Sequence, residues 1–483
     1  METRKSIRRR KPLLKEEAAV ETCRASKRKK LLLKEAVEDK EDRLSNLPDG
    51  ILHHILSLLP VKSIAKTSVL STRWNYLWAT VPCLDFSEFS MKEKRRERKR
   101  EAMELIIKTV LAARHANFNI KVFRFKGQLG VTCLGDWIQQ LVRHSVEELE
   151  LDVVFGGRFN LPPCLFDCDS LKSLTLKTHH LNSWFQFCSY DFTRTGRGLR
   201  SLQTLTLKHV RFIYNTSAAL FSASSFPALK RLTLNNCIEI NRLNIGCPEL
   251  EGLQVERTKM NVLDISAGEK LKNLRVISSF RASKNESWVK IFAPKLETFC
   301  RENNEFPEEY SVQSFTFLKK CSICITSSCG YRSNINAEKI NHAISFLSSL
   351  VSTQKLYINI TNLCAAKKWG ITLLDNSRYT EEQYWESEAQ VLRSFLDHLK
   401  VLTIHVHFSM RKSTIIATRF LLKHGSVLQE VILRSKDTRT HLWKEKFIID
   451  VPWGSPHVKI SIRDGTVLEF MRKTRENVNV KGP

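Results

Sequence analysis

A six-residue phrase, L-x-x-L-x-L, recurs through the middle of the chain and leaves few folds open to it. It is written VEELEL from Val146 to Leu151, LKSLTL from Leu171 to Leu176, LQTLTL from Leu202 to Leu207, and LKRLTL from Leu229 to Leu234. Weaker copies are LEGLQV (Leu250 to Val255), LKNLRV (Leu271 to Val276) and LETFCR (Leu296 to Arg301). Marked on its second apolar position, the phrase falls at Leu149, Leu174, Leu205, Leu232, Leu253, Leu274 and Phe299, at spacings of roughly 21 to 31 residues. Successive side chains of a strand point to opposite faces, so Leu232 and Leu234 enter a core while Thr233 points to the other surface. One such unit cannot bury its apolar face alone. Neighbouring copies must therefore stack into a solenoid.

The phrase and its period resemble leucine-rich repeats. Cys237 falls where that repeat takes Asn or Cys to bridge exposed backbone in the turn, and the other copies do not show this clearly. Degenerate copies continue the pattern as LKKCSI (Leu318 to Ile323), TQKLYI (Thr353 to Ile358), LKVLTI (Leu399 to Ile404) and LQEVIL (Leu428 to Leu433). Helical spacing precedes some of them, as in Ile340, Ala343, Ile344 and Leu347, or Phe420, Leu421 and Leu422. The reading is one α/β solenoid over about 120–435, a curved, largely parallel sheet with helices or irregular turns outside. A separate small α/β unit from about residue 380 is the alternative.

Alternation along these strands nominates Glu150, Asp152, Thr175, Lys177, Thr206, Lys208, Thr233, Asn235, Gln254, Glu256 and Arg275 for the open strand face. Nine of these, from Thr175 onward, are the candidate substrate-binding residues. Their mixture of acids, amides and lysines does not name a ligand.

A second feature lies upstream, between Asp42 and Phe86. Pro48 suits the first helical position, with Ser45 and Asn46 as possible caps and Asp49 at the positive helix end. Ile51, Leu52, Ile55, Leu56 and Leu59 share one helix face, Leu58 widens it, and Pro60 ends the helix. A second helix is expected over Lys62 to Val69, with Ile64, Ala65, Val69 and Leu70 inward. A third, capped by Ser71 or Thr72, carries Trp74, Leu77 and Trp78 at i, i+3, i+4. Three helices in about forty residues cannot hide so many large side chains. The excess should face a partner.

The run LSNLPDGILHHILSLLP, then TSVLSTRW and YLW, resembles the F-box of plant F-box proteins. That resemblance implies docking on a Skp-type adaptor and, through it, on a cullin-RING scaffold. It nominates Leu47, Pro48, Ile51, Leu52, Ile55, Leu56, Leu59, Pro60, Val69, Leu70, Trp74 and Leu77 as adaptor-binding residues. The C-terminal stretch AQVLRSFLDHLKVLTIHVHF with FLLKHGSVLQEVILR is similar to the FBD-type tail of plant F-box proteins with leucine-rich repeats. The implied order is a basic arm over 1–41, an F-box over 42–88, a basic helical linker over 89–119, repeats over 120–380, FBD-like last repeats over 381–440 and an extension over 441–483.

The formal net charge of +27 raises nucleic acid as an alternative partner. Much of the charge sits in two blocks, RKSIRRRK with KRKK between Arg4 and Lys30, and KEKRRERKR from Lys92 to Arg100. The first reads as a bipartite nuclear import signal or a solvated tail, the second as the exposed start of a helix over Glu101 to Ala113 with Met103, Ile106, Ile107 and Val110 on one face. Neither block has interleaved aromatics for base stacking. Thirteen scattered cysteines, no apolar signal and no membrane-length apolar run imply a reduced location in nucleus or cytoplasm.

Cys321, Cys324 and Cys329, with His342, are the cluster to weigh as a metal site, although no second CxxC accompanies them. No phosphate loop, dinucleotide fingerprint, HExxH or GxSxG is present. The pairs His53/His54, His179/His180 and His405/His407 lack carboxylates at ligand spacing. The sequence therefore implies a receptor with no catalytic residues and no cofactor. An F-box scaffold that does not transfer ubiquitin is a further alternative.

Overall fold

The computed structural model describes residues 46–59, 63–64, 67, 73–74, 77, 80–87, 96–112, 114, 117–179, 183–188, 199–213, 220–280, 287–304, 309–312, 315–326, 346–361, 381–387, 389–406, 412–435, 454–462 and 467–468. The chain divides into two compact units, a helical one ending at Val81 and a repeat unit running on from Pro82.

In the helical unit, one helix spans Asp49–Ser57, and Ser63, Ile64, Thr67, Arg73, Trp74, Leu77 and Thr80 are helical in the remainder. Its core is Leu52, Leu56, Ile64, Trp74, Leu77 and Val81, with Leu47 packed against it. Pro48 stands just before the first helical residue rather than within it, and no side chain caps that end. Asp49 turns instead to Arg73, whose Nη2 donates to Asp49 Oδ1 at 2.5 Å and to the carbonyl of Leu47 at 2.6 Å. A residue 26 positions away thus fastens the segment entering the helix.

The repeat unit is organised on one sheet of fifteen strands among the described residues. Taken in chain order they are Cys83–Phe86, Val122–Gln128, Glu148–Val154, Ser173–Lys177, Thr204–Lys208, Arg231–Asn235, Gly252–Glu256, Asn273–Ile277, Thr298–Asn304, Lys320–Thr326, Lys355–Thr361, Val401–Val406, Glu430–Ser435, Lys459–Ile462 and Val467–Leu468. Every pairing is parallel except the last. The marked positions of the sequence phrase stand in one register, Leu149 beside Leu174, Leu205, Leu232, Leu253, Leu274 and Phe299. Cys321, Leu356, Leu402 and Val431 prolong the row through the degenerate copies, and the whole row is buried. The stretch after residue 380 therefore continues the same sheet instead of founding a separate one.

The sheet begins earlier than the repeats read from sequence. Cys83–Phe86, within the stretch assigned to the F-box, pairs with Val122–Gln128, and that strand precedes the first legible copy. The helix expected from Glu101 starts at Arg96 and buries Met103, Ile107, Val110 and Leu111, whereas Ile106 is exposed. A further helix, Val131–Arg143, packs Leu134, Trp137, Ile138 and Leu141 inward. Glu104 steadies its start by accepting the N–H of Gly130 at 2.8 Å, an anion at the positive end of a helix.

Through the middle of the array the outer segments are strands, where helices or irregular turns were expected. Gly157–Asn160, Ser183–Cys188 and Val210–Ile213 form one small parallel sheet. Phe221–Ser222, Arg242–Gly246, Val262–Ile265, Trp288–Ile291 and Glu309–Val312 form another. Helices return at Glu381–Ser387, Ala389–Leu396 and Lys412–His424.

A buried polar ladder turns the chain at the end of each central strand. Cys237 donates its thiol to the carbonyl of Leu207 at 3.6 Å, as its place in the repeat suggested, and burial pushes that thiol up to about 12. Equivalent positions in the following repeats are Thr258, Ser279 and Asn304, all buried. Each accepts from the backbone N–H of the one before: Cys237 N to Thr258 Oγ1, Thr258 N to Ser279 Oγ, Ser279 N to Asn304 Oδ1. The residues just after these strands, His209, Asn236, Arg257 and Ser278, have φ between 48° and 56°. Those single left-handed residues let the chain leave the sheet.

A second periodic feature lies at the strand entrances. Lys121, Glu147, Lys172, Gln203, Lys230, Glu251, Lys272, Glu297 and Lys319 occupy one row, each linked by its backbone N–H to the carbonyl of the residue before it. Lysine and acid alternate, with Gln203 in one acidic place. Ion pairs join Lys172 to Glu147 at 2.7 Å, Lys272 to Glu251 at 3.2 Å and Lys319 to Glu297 at 3.2 Å.

Candidate binding surfaces

The helical unit sorts the twelve nominated adaptor residues by role. Leu52, Leu56, Trp74 and Leu77 are core side chains, with no surface to offer a partner. Ile51 is 48% exposed and Leu59 37%, while Pro48 is also exposed and Leu47 and Ile55 are half-buried. Pro60, Val69 and Leu70 lie outside the described residues, as do Ala65 and Trp78. Leu58, which sequence reading saw only as widening the face, is 72% exposed and is the most exposed large apolar residue described. It stands just past the helix end at Ser57, as its C-cap. Among the described residues of this unit, Pro48, Ile51, Leu58 and Leu59 are the nominated or neighbouring apolar side chains open to a partner, while the buried leucines form the core.

On the repeat sheet the nominated face is open to solvent as alternation required. Its central row runs Asp85, Arg124, Glu150, Thr175, Thr206, Thr233, Gln254, Arg275, Cys300, Ser322 and Tyr357, each beside the next. Early in the row the charges neutralise one another. Arg124 lies within 4 Å of Asp85, Glu148 and Glu150, and Lys177 Nζ reaches Glu150 at 2.8 Å. His179, whose pair with His180 has no carboxylate at ligand spacing in the sequence, places its Nε2 2.7 Å from Asp152. Lys208 has no ion-pair partner among the described residues.

Farther along, Glu256 is a hub. It accepts from Asn235 Nδ2 at 2.8 Å, Gln254 Nε2 at 2.8 Å and Arg275 Nε at 3.2 Å. Four of the nine nominated substrate residues thus fix one another's rotamers. Beside them the face sinks into a hollow of about 970 Å³, lined on this side by Thr233, Gln254 and Arg275. Thr175, Lys177, Thr206, Lys208, Asn235 and Glu256 do not line it.

The rest of the lining comes from residues that sequence reading did not nominate: Lys230, Arg231, Asn273, Thr298, Cys300, Glu302, Lys320, Ser322 and Tyr357 among them. The signal for three was present, since Cys300, Ser322 and Tyr357 occupy in LETFCR, LKKCSI and TQKLYI the place Thr233 holds in LKRLTL. Lys320 stands over the Tyr357 ring at 5.1 Å from its centroid. Glu302 accepts from Ser322 Oγ at 2.8 Å and from the Cys300 thiol at 3.4 Å, and burial, then Glu302, pushes that thiol up to about 12.

The cysteine cluster weighed as a metal site is not assembled by the described residues. Cys321 is buried in the sheet core, and Cys329 and His342 lie outside them. Among the described residues no three His, Cys, Asp or Glu side chains converge as a metal set, and no helix is long and apolar enough to cross a membrane. His405 lies in the strand Val401–Val406, and His407 is outside the described residues.

Comparison with known proteins bears on both surfaces. The F-box domain family matches residues 44–86, and the family described as "FBD-associated F-box protein At5g56370, LRR repeats" matches residues 134–325. Among curated proteins, the Arabidopsis thaliana F-box/LRR-repeat protein At3g26922 is 31% identical over 304 residues, 59% of this chain and 90% of its own. At4g03220, an F-box/FBD/LRR-repeat protein by name from the same plant, is 28% identical over 453 residues, 82% of this chain and 89% of its own. The Arabidopsis thaliana F-box/FBD/LRR-repeat protein At5g56420 is 26% identical over 446 residues, 85% of this chain and 95% of its own.

Proposed function

Because the chain belongs to the plant F-box/FBD/LRR-repeat family, we propose that it is the substrate-recognition subunit of an SCF-type ubiquitin ligase. The helical unit docks on a Skp-type adaptor, which supplies the cullin-RING scaffold, and the open sheet face takes the target protein. The observation that carries the adaptor half is the exposure of Ile51, Leu58 and Leu59 on a unit whose core among the described residues is Leu52, Leu56, Ile64, Trp74, Leu77 and Val81. Large apolar side chains left exposed on so small a unit are candidates for burial against a partner. Burying them against a partner would contribute about 1.5 to 3 kcal/mol for each side chain fully covered.

The target half follows from architecture. A parallel sheet with one face sealed by its own outer strands leaves the other for binding, and loops and open faces on a rigid scaffold are where such proteins place function. The receptor then works by proximity, holding a target beside a loaded conjugating enzyme so that a bimolecular transfer becomes local. It needs no catalytic group for this. The nucleic-acid reading is weaker on the described surface, because Glu150, Asp152, Glu256 and Glu302 are interleaved with the cations and would oppose a phosphate backbone. The basic arm remains the basis for proposing nuclear or cytoplasmic residence.

The test is capture of a plant Skp-type adaptor by the full chain, followed by cullin-dependent ubiquitin transfer to a co-purified protein. Failure to capture the adaptor removes the proposal. Capture without transfer to any bound protein leaves the non-ubiquitin scaffold in its place.

A further inference from the structure

We infer that the hollow on the sheet face binds an extended acidic segment whose carboxylates recur about every third residue. This deepens the target half of the proposed function and rests on that face being the target site. The argument begins with charge. Lys230, Arg231 and Lys320 line the hollow with no ion-pair partner among the described residues. Arg275 is tied to Glu256 through Nε. The lining acids are Glu251, committed to Lys272, and Glu302, which holds Ser322 and Cys300 and forms no ion pair among the described residues. Cations left without counter-ions in a concave site raise the local concentration of an acidic ligand.

Spacing then selects the form of the ligand. Arg231, Arg275 and Lys320 stand on every second strand of the parallel array, since the Gly252–Glu256 strand separates the first two and the Thr298–Asn304 strand the last two. A strand spacing of about 4.8 Å places the strands that carry these cations at steps of about 9.6 Å across the sheet. A polyproline II segment rises about 3.1 Å per residue with three residues per turn, so its side chains at i, i+3 and i+6 return to one face every 9.3 Å or so. A β-extended ligand would offer one face at intervals of two residues, about 6.8 Å, and would miss the second cation. Arg275 sits two residues farther along its strand than Arg231 and Lys320, a stagger its long side chain can span. Glu302 adds a second requirement, a neutral or hydrogen-donating residue between two of the acids, and it disfavours a continuous phosphate chain.

The probe is a phage library of random twelve-residue peptides, panned against the purified full chain without adaptor, so that the outcome is independent of adaptor capture. Selected peptides should be enriched in Asp and Glu at positions three apart. One of them, fluorescently labelled, should bind Arg231→Glu/Lys320→Glu about tenfold or more weakly, and a version with lysines in place of its acids should bind that variant better than the wild type. Both substituted side chains are exposed, so an unchanged thermal midpoint confirms that the variant is folded. The inference is overturned if panning yields no binders, if the binders show no acidic period, or if the charge-reversed variant binds the peptide unchanged. Equal competition by an oligouridylate would overturn it in favour of nucleic acid. Adaptor capture that succeeds while these fail leaves the receptor reading standing with a different target chemistry.

Discussion

The side-chain oxygen of Asn304 accepts the backbone N–H of Ser279 at 2.8 Å, across two neighbouring repeats and out of contact with water. The same oxygen takes the N–H of Phe280 at 2.9 Å, and Asn304 Nδ2 donates to the carbonyls of Val276 at 2.6 Å and Glu302 at 3.0 Å. One amide therefore serves four backbone groups at a turn where the chain has left its ladder. Replacing Asn304 with Leu should destabilise the repeat unit by about 3 kcal/mol or more, because several buried groups lose their partners together. Hydrogen exchange at the Ser279 and Phe280 amides checks this locally. Unchanged protection there would show that the ladder is incidental.

Two leucines six positions apart should behave oppositely in the helical unit. Leu58→Asp changes an exposed residue, so folding should survive while adaptor affinity falls by roughly tenfold to a hundredfold. Leu52→Asp puts a charge into the core and should unfold the unit, abolishing binding for a different reason. Circular dichroism beside the capture assay separates the two. If Leu58→Asp binds the adaptor as the wild type does, the exposed surface is elsewhere.

Acid should weaken the repeat unit through His144. Burial, followed by the nearby positive charge of Arg114, holds its imidazole below the usual histidine range. The unfolded chain takes up a proton as pH falls through about 6.5 while the folded chain resists it, so the stability contribution is complete above that value and declines below it. The urea midpoint should drop between about pH 7.5 and 5.5, above the carboxylate range, and His144→Gln should flatten the dependence. An equal slope in both proteins would assign the effect to another group.

Gly268 marks a close approach of backbones between repeats. A methyl group there would overlap the carbonyl oxygen of Phe292 and touch Ile265, while one on Gly156 meets nothing. The Phe292 N–H is already engaged by the Ile265 carbonyl at 2.8 Å, which leaves the neighbouring chain little room to retreat. Gly268→Ala should cost about 1 to 3 kcal/mol, and Gly156→Ala should be near neutral. Thermal midpoints of the two variants measure the difference.

The leucine rows were legible because a single strand face repeats with a fixed phase. Once Leu232 and Leu234 are inward, the same offset carries to Leu253, Leu274 and Phe299, and even to Cys321, where the leucine itself has gone. Cys83–Phe86 was hidden because CLDF has no phrase around it and joins the sheet only through Val122–Gln128. The outer strands were hidden for a similar reason: their lengths, two to six residues, are too short for a period to declare itself. In the turn ladder, sequence showed one Cys, whereas Thr258, Ser279 and Asn304 do equivalent work with different groups. The helical unit divided along the same line. Spacing identified the apolar residues but could not say that Leu52 faces Trp74 and Leu58 faces water, since both lie within one widened stripe.

The row of alternating lysine and acid at the strand entrances has a bearing on how such an array can change length. Each exposed pair is worth little by itself, but like charges set side by side are unfavourable. Removing one repeat between Lys230 and Lys272 would leave lysine next to lysine, and duplicating one would set two of a kind together. Removing or copying two neighbours keeps the alternation, with Lys230 meeting Glu297. The array therefore carries a parity, and gains or losses of repeats by recombination should be tolerated more readily in even numbers than in odd.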